Sequence, residues 1–295
     1  MSASFKQKLE YSAYYGMKVL LNVLPRKTIY FISRILGNML FALDKKHRKL
    51  AYSSLKTALG TQYSFSKRQR IIKKTFIHFC TIFLDFIKIS GFNTEQKNRL
   101  ISEEGTEILE KYLRKKKGLL IFTAHFGFWE IAALILSKYA KLNVIARPLD
   151  NPLLEKELSR FRASLGSHVI YKKRATKSVL KALKQNEMVA VLIDQNVLLK
   201  EGISIKFFGE DASTTPSLAT FFLRTKAPII PIFCYPTPEH GYHLKILEAP
   251  PLDVTGNFDR DVKNITQMCT HIIEEEITKH PHLWLWFHDR WRSQP

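Results

Sequence analysis

Apolar and polar positions in the first hundred residues recur with the period of an α-helix. The apolar stretch Thr28–Leu43 follows Pro25, and the basic, amphipathic stretch Asp44–Leu59 comes directly after it. In Lys67–Ser90 the large apolar side chains recur three or four residues apart, which places them on one helix face. The pattern predicts that residues 1–100 form a helical part of the protein.

From Gly118 onward, short continuous apolar runs alternate with segments of helical period. Such runs indicate strands buried on both faces, and the segments between them indicate helices that cover the sheet. The predicted strands are Gly118–Thr123, Leu142–Ala146, His168–Tyr171, Met188–Asp194, Ile203–Phe208, Pro228–Tyr235 and Tyr242–Leu247. The predicted helices are Phe128–Tyr139, Pro152–Leu165, Ala175–Lys184, Ser217–Lys226 and Asp259–Lys279. We therefore expect an α/β fold with a mixed, mostly parallel central sheet flanked by helices.

The most apolar segment is too short for an ordinary transmembrane helix. A spanning helix needs about 20 consecutive apolar residues, and Thr28–Leu43 is shorter and contains an arginine. We expect it to lie in or dip into a membrane interface, with a short span or a core helix as the alternatives. There is no internal repeat or low-complexity linker, so residues 1–295 should form a single domain. Its membrane-associating helical part would be residues 1–100, and its α/β part residues 101–295.

The charge balance predicts a polyanionic partner. Lys and Arg total 46 against 26 Asp and Glu, a net charge of +20. Such a surface suits nucleic acid, an anionic membrane, or a phosphorylated or acidic substrate. Basic residues gather at Lys111–Lys117 and Lys172–Lys184, although each group is equally typical of a solvated helix face.

Several kinds of chemistry have no motif in this chain. The sequence contains no G-x-S-x-G, no G-x-x-x-x-G-K-S/T, no G-x-G-x-x-G and no H-E-x-x-H, so no nucleophilic serine, nucleotide cofactor or zinc site is predicted. The three cysteines are scattered without a C-x-x-C, which indicates small core residues in a reducing compartment. We expect neither a cofactor nor a metal.

One histidine lies at the position where open α/β sheets usually hold ligands and catalytic groups. His125 follows the predicted strand that ends at Thr123, at the carboxyl edge where such sheets hold ligands. Gly127 permits a turn, and Glu130 falls in the first turn of the next predicted helix, whose free N–H groups favour negative charge. We expect Glu130 to accept a hydrogen bond from His125, whose other ring nitrogen takes a proton from an alcohol. The alternative is that His125 has only a structural role.

The segment TAHFGFWE, Thr123–Glu130, resembles the signature of the H-x(4)-D/E lysophospholipid acyltransferase superfamily. The rest of the chain, from about Leu20 to Arg292, is similar to its lipid A late-acyltransferase branch in the order and rough spacing of its motifs. The matching segments are Ala146–Pro152, Arg162–Gly166, Val191–Gln195, Phe207–Gly209, Ala227–Pro231 and Pro281–Trp291. The chain departs from the branch early on, where Ser54-Leu55…Leu59-Gly60-Thr61 replaces Asn-Leu…Phe-Pro-Glu.

This resemblance implies transfer of a fatty acyl chain from acyl-acyl carrier protein to a hydroxyl of a phosphorylated glycolipid, a lipid A precursor. The hydroxyl would attack the thioester directly, with His125 as general base oriented by Glu130, at the cytoplasmic face of a bacterial inner membrane. Arg162 is the strongest candidate for a charged contact, and Asp194 should lie on the same sheet edge as His125, either in the site or as a loop cap. The candidate substrate contacts are Arg147, Asn151, Arg160, Arg162, Asp194 and Gln195.

Other interpretations remain open at this point. The aromatic segment Trp284–Trp291 either lines the acyl channel or packs in the core, with a cation–π contact from Arg290. The acyl donor is bound either to carrier protein or to coenzyme A. The same chemistry also suits a mannosylated inositol lipid, an amino-acid lipid or a lysophospholipid as acceptor. A basic membrane- or nucleic-acid-binding protein without activity is a third possibility, disfavoured because the basic residues are spread along the chain and form no nucleic-acid motif.

Overall fold

The N-terminal part is helical, as predicted. The computed structural model describes residues 4–60, 62–172 and 175–292. The helices of the N-terminal part are α1 (Phe5–Val23), α2 (Arg26–Leu43), α3 (Lys45–Leu59), α4 (Phe65–Ile89) and α5 (Thr94–Asn98). Pro25 separates α1 from α2, and the Asp44 side chain accepts a hydrogen bond from the His47 N–H at the start of α3. The helices predicted at Thr28–Leu43, Asp44–Leu59 and Lys67–Ser90 are thus confirmed.

The remaining residues form a mostly parallel sheet of seven strands covered by helices, which confirms the predicted fold class. The elements are β1 (Ile101–Glu104), α6 (Thr106–Leu113), β2 (Leu119–Thr123), α7 (Ala133–Leu136), β3 (Leu142–Ala146), α8 (Pro152–Ser164), β4 (Ser167–Tyr171), α9 (Ala175–Lys184), β5 (Met188–Leu192), β6 (Ile203–Phe207), β7 (Glu210–Thr214), α10 (Ser217–Thr225), β8 (Ile229–Pro236), β9 (Tyr242–Ile246) and α11 (Phe258–Lys279). The strand order is β1-β9-β8-β2-β5-β3-β4. Only β8 and β9 pair in antiparallel fashion among these described strands.

Two of the predicted elements differ from the structure, which also contains strands that the sequence pattern did not predict, namely β1 and β7. The predicted helix Phe128–Tyr139 is a 3-10 turn, Trp129–Ala132, followed by the short helix α7. Its apolar residues are contiguous and buried on all sides, so periodicity could not fix the length of the helix. The strand predicted at Ile203–Phe208 exists as β6, but it pairs with β7 in a separate two-stranded sheet.

The central strand β2 divides the hydrophobic core into two layers. All of its residues are buried. Leu120 and Phe122 belong to one core cluster, whereas Leu119 and Ile121 belong to the other, because successive side chains of a strand point to opposite faces. Helices cover both faces, which explains why the strand is a continuous apolar run.

The N-terminal helices share this core. Leu55 of α3 and Phe76 of α4 lie in the same cluster as Leu120 and Phe122 of β2. No described helix combines the length and apolarity that a membrane span requires.

A buried ion pair fixes α2 against α4 and the sheet. The Asp85 carboxylate of α4 is fully buried and accepts a hydrogen bond from Arg26 Nε at 3.0 Å. The hydroxyls of Tyr30, on α2, and Tyr242, on β9, also donate to this carboxylate. Three side chains from two elements, α2 and β9, are therefore held by one charge on α4.

Replacement of this buried carboxylate should destabilise the fold strongly. Asp85→Ala leaves the Arg26 guanidinium without its charged partner and the Tyr242 hydroxyl without its carboxylate acceptor, so we expect the free energy of unfolding to fall by about 3–5 kcal/mol. The matched control is Glu95→Ala, which removes the exposed partner of Arg99 and should change stability by less than about 0.5 kcal/mol. Urea denaturation followed by circular dichroism measures both, and equal effects would contradict the role of Asp85.

Candidate active site

The turn after β2 is fixed on two sides by backbone hydrogen bonds. The Gly127 N–H donates to the Leu283 carbonyl at 3.0 Å, and the Phe128 N–H donates to the Cys234 carbonyl at 3.1 Å. Gly127 has a φ of 57°, and a Cβ atom there would lie 1.7 Å from the Cys234 carbonyl oxygen. Only glycine fits this close approach to β8. The turn thereby presents His125 at the carboxyl edge of the sheet.

The register of β2 and β5 brings a carboxylate to His125. These parallel strands pair with Thr123 opposite Leu192, and His125 and Asp194 each follow that pair by the same number of residues. Asp194 Oδ1 lies 2.9 Å from His125 Nδ1, and Asp194 Oδ2 accepts the backbone N–H of His125 at 2.9 Å. The indole N–H of Trp284 donates to the same oxygen at 2.8 Å.

This environment keeps Asp194 ionised and fixes the tautomer of His125. Asp194 is only 2% exposed. Burial acts to raise the pKa of its carboxyl group, but His125 and the hydrogen bonds from His125 and Trp284 outweigh burial, so that the pKa lies below its ordinary value. An ionised acceptor at Nδ1 requires the proton there and leaves the lone pair on Nε2, which is the arrangement of a general base.

Glu130 has a different partner from the one predicted. Arg162 Nε lies 3.1 and 3.0 Å from the two Glu130 oxygens, and Arg162 Nη2 also donates to Glu130. Among the described residues, no hydrogen bond joins Glu130 to His125, so the predicted contact between them is not found, and a catalytic role for Glu130 stays a prediction. The physical reason is that sheet register supplies Asp194 at Nδ1, while the guanidinium of α8 satisfies Glu130 with two parallel donors.

A polar cavity of about 650 Å³ opens beside His125. Gln195 Nε2 lies 3.4 Å from His125 Nε2 at its wall, and the Trp129 ring packs edge-on against the imidazole at 5.0 Å. The polar residues that line the cavity are His125, Glu130, Arg147, Arg162, Lys172, Thr176, Gln195, Asn196, Thr215 and Ser217. This composition suits a hydroxylated, anionic ligand.

A second, apolar groove of about 830 Å³ lies between α1, α4 and α8. Trp129, Glu130 and Arg162 line both spaces, so the groove meets the polar cavity at these three residues. Its apolar lining consists of Ala13, Tyr14, Met17, Phe79, Ile82, Phe83, Phe86, Phe128, Leu149, Leu154 and Leu158. A hydrocarbon chain matches this surface.

The other predicted contacts have different surroundings. Arg147 lines the polar cavity while it pairs with Asp150 at its exposed end. Asn151 caps α8 and donates to Glu10 of α1 at 2.8 Å, and Arg160 pairs with Glu157 at 2.6 Å. The structure places neither Asn151 nor Arg160 in the lining of the polar cavity, and their roles as substrate contacts stay predictions. Lys173 and Arg174, of the basic group Lys172–Lys184, lie outside the described residues.

The aromatic segment packs in the core, which was one of the two interpretations of its sequence. Trp284 and Trp286 are fully buried with ring centroids 4.6 Å apart, and the Arg290 guanidinium lies 4.9 Å from the Phe207 ring. The hydrogen bond from Trp284 to Asp194 was not predicted. The one feature of the sequence that could have indicated this hydrogen bond is the tryptophan itself, because a buried indole N–H usually has an acceptor.

Comparisons with known proteins identify the family of this chain. The family model described as "Bacterial lipid A biosynthesis acyltransferase" matches residues 2–293. The chain is 23% identical over 290 residues to the lipid A biosynthesis lauroyltransferase of Escherichia coli K12, covering 95% of this chain and 90% of that protein. It is 22% identical over 274 residues to the lipid A biosynthesis palmitoleoyltransferase of the same strain, covering 92% and 87%. It is also 26% identical over 200 residues to a phosphatidylinositol mannoside acyltransferase of Mycobacterium tuberculosis H37Rv, covering 66% and 61%. The chain therefore belongs to the bacterial lipid A biosynthesis acyltransferase family and is an acyltransferase.

Proposed function

We propose that this acyltransferase moves a fatty acyl chain from acyl-acyl carrier protein to a hydroxyl of a phosphorylated lipid A precursor at the membrane surface. The observation that carries the proposal is the position of the His125–Asp194 pair beside the junction of the polar cavity and the apolar groove. A glycolipid headgroup matches the first space and an acyl chain matches the second. The two reactants would then meet at Trp129, Glu130 and Arg162.

The reaction needs no covalent enzyme intermediate. His125 Nε2 takes the proton of the acceptor hydroxyl while its oxygen forms a bond to the thioester carbonyl carbon. The carbon–sulfur bond then breaks, and the leaving thiolate takes the proton from the imidazolium. Asp194 stabilises the imidazolium between these steps, because its ionised carboxylate already accepts the Nδ1 proton.

Arg162 is the candidate donor for the developing oxyanion. Its Nη1 atom is buried and has no hydrogen-bond partner among the described residues, whereas Nε and Nη2 are occupied by Glu130. Glu130 holds the guanidinium in one orientation, and the free donor then serves the thioester carbonyl oxygen. Glu130 is thus a positioning residue for Arg162 in this mechanism. The cations Arg147 and Lys172 in the polar cavity suit the phosphate of the acceptor.

Membrane attachment through the N-terminal helices fits the same function. Apolar side chains are exposed at four-residue steps on α1, at Tyr15, Val19 and Val23, and on α2. Such stripes suit a helix that lies in the interface of a bilayer. A net charge of +20 suits both an anionic leaflet and an acidic carrier protein. We place the enzyme at the cytoplasmic face of the bacterial inner membrane on these grounds.

A second acceptor class is favoured by one observation. The phosphatidylinositol mannoside acyltransferases are as similar to this chain as the lipid A enzymes are, although the match covers a smaller part of the sequence. A mannosylated inositol lipid is also a phosphorylated, hydroxylated headgroup on an apolar tail. The polar cavity would accept it by the same contacts, and an acylation assay with both acceptors separates the two.

Substitutions of His125 and of Asp194 should each lower activity, and their effects should not add. General-base help is worth about 10²–10⁴ in rate, so His125→Ala should lower kcat at least about a hundredfold. Asp194→Asn should fall in the same range, and the double variant should be little worse than the worse single one. Asp194→Asn also removes the charge that stabilises the imidazolium, which shifts the acid limb of the kcat/KM profile to lower pH. Glu130→Gln should lower the rate without this shift, because it acts on Arg162.

His168→Ala is the matched control for this series, since His168 is an exposed histidine on β4 and should keep the wild-type rate. Rates are measured with saturating donor and acceptor, and circular dichroism checks the fold. A folded His125→Ala protein with more than about a tenth of the wild-type rate would overturn general-base catalysis. A shift of the acid limb in Glu130→Gln but not in Asp194→Asn would instead identify Glu130 as the residue that orients His125.

Acyl-chain length should depend on the α1 wall of the apolar groove. Ala13→Trp places an indole in the groove, which shortens the space for the chain and should favour shorter donors. Each buried methylene contributes about 0.8 kcal/mol, so the loss of two changes the preference on the order of tenfold. Competition between acyl donors of different length measures this ratio. Ser12→Trp, on the adjacent exposed position outside the groove lining, should leave the ratio unchanged, and an equal shift in both variants would exclude this groove as the acyl site.

A further inference from the structure

A third concave surface lies away from the candidate active site, between the end of α2, α3 and the start of α4. This basic groove has a volume of about 740 Å³ and is lined by both cations and aromatic rings. Its lysines are Lys45, Lys49 and Lys56 of α3. They are four and seven residues apart, so they share one face of the helix.

These lysines are available to a ligand. No ion pair joins any of the three to a carboxylate in the described part of the chain, and no described acidic residue lines the groove. Arg48 is different, because its Nη1 donates to the carbonyls of Phe41 and Ala42 at the end of α2. The groove therefore holds three like charges with no counter-charge among the described residues, an arrangement that attracts an anion.

Aromatic rings also line the basic groove. The Tyr52 and Phe65 rings lie 5.1 Å apart, and Phe65 is largely exposed at the rim. The Tyr52 hydroxyl is buried and has no hydrogen-bond partner among the described residues. A ligand with an anionic head and an adjoining apolar part would satisfy the lysines, the hydroxyl and the rings together.

An exposed apolar stripe runs along α2 to this groove. Phe31, Ile35, Met39 and Leu43 recur at four-residue steps and are 63%, 51%, 46% and 69% exposed. The stripe ends at Leu43, next to the Asp44 cap and the first lysine of the groove. An apolar helix face that leads into a cluster of lysines is the arrangement of a helix lying in an anionic bilayer interface.

We propose that the basic groove binds the anionic headgroup of a membrane phospholipid while the stripe on α2 enters the acyl region of the same leaflet. The phosphate lies against Lys45, Lys49 and Lys56, and the glycerol end of the acyl chains lies against Phe65. This site gives the protein a preference for anionic membranes. It rests on the membrane attachment in the proposed function and is independent of the catalytic assignment.

The test compares the binding of the full-length protein to vesicles of phosphatidylcholine alone and of phosphatidylcholine mixed with phosphatidylglycerol. The groove variant carries Lys45→Gln, Lys49→Gln and Lys56→Gln together. The matched control carries Lys115→Gln, Lys116→Gln and Lys117→Gln, which remove the same charge from the exposed loop between α6 and β2. A basic residue near an anionic surface contributes enough that the groove variant should bind the anionic vesicles at least about tenfold more weakly than the control.

Three outcomes would overturn the proposal. Equal losses in the two variants would show that net charge alone attracts the protein to anionic vesicles. A groove variant that keeps its vesicle binding but loses affinity for purified acyl carrier protein would assign the groove to an acidic protein partner. Binding of wild-type protein to both kinds of vesicle with equal affinity would also exclude a headgroup site.

An assay of acyl transfer in detergent tests the proposed reaction independently of the headgroup site. None of the groove lysines lines the polar cavity or the apolar groove, so the groove variant should keep the wild-type kcat with soluble donor and acceptor. If wild-type protein transfers no acyl chain in this assay, the proposed function fails while the vesicle comparison still decides the headgroup site.

Discussion

The carboxylate of Asp194 is the group around which the site is built. A buried charge is costly unless its partners are fixed in place, and here three donors converge on it, from the side chain and backbone of His125 and from the indole of Trp284. One contact sets the tautomer of the imidazole, another holds the turn that contains it, and the third anchors that turn to the C-terminal aromatic cluster. The same charge that would make His125 a base in the proposed reaction also determines where His125 lies.

The junction between polar and apolar space depends on a second buried pair. Glu130 and Arg162 close both cavities at the point where they meet, and neither charge is left unpaired there. The cost of burying them is offset by the two-donor geometry of the guanidinium. An acyl thioester has an apolar tail and a polar reacting carbonyl, and this pair marks the boundary that such a molecule would cross.

The N-terminal helices contribute both to the candidate active site and to an exposed apolar surface. The inner face of α4 packs on the sheet and walls the apolar groove, while the buried Asp85 network fixes α2 against it. The outer face of α2 stays apolar and exposed. The apolar groove and the exposed apolar face thus belong to neighbouring helices. In the proposed function, this arrangement would shorten the path of an acyl chain from the membrane to the active site.

The sequence alone determined those features of the structure that depend on the local pattern of residues. The continuous apolar run of β2, the histidine that follows this strand and the glycine turn after the histidine were predictable, because strand burial and turn chemistry are set by neighbouring residues. The partner of His125 was decided by tertiary structure, since Asp194 lies 69 residues away and reaches Nδ1 only because β5 pairs beside β2 in one register. Glu130 is close in sequence, yet Arg162, 32 residues away on α8, takes its oxygens. Spacing along a chain specifies which side chains lie near a strand end, whereas strand order and helix packing decide which of them hydrogen-bond.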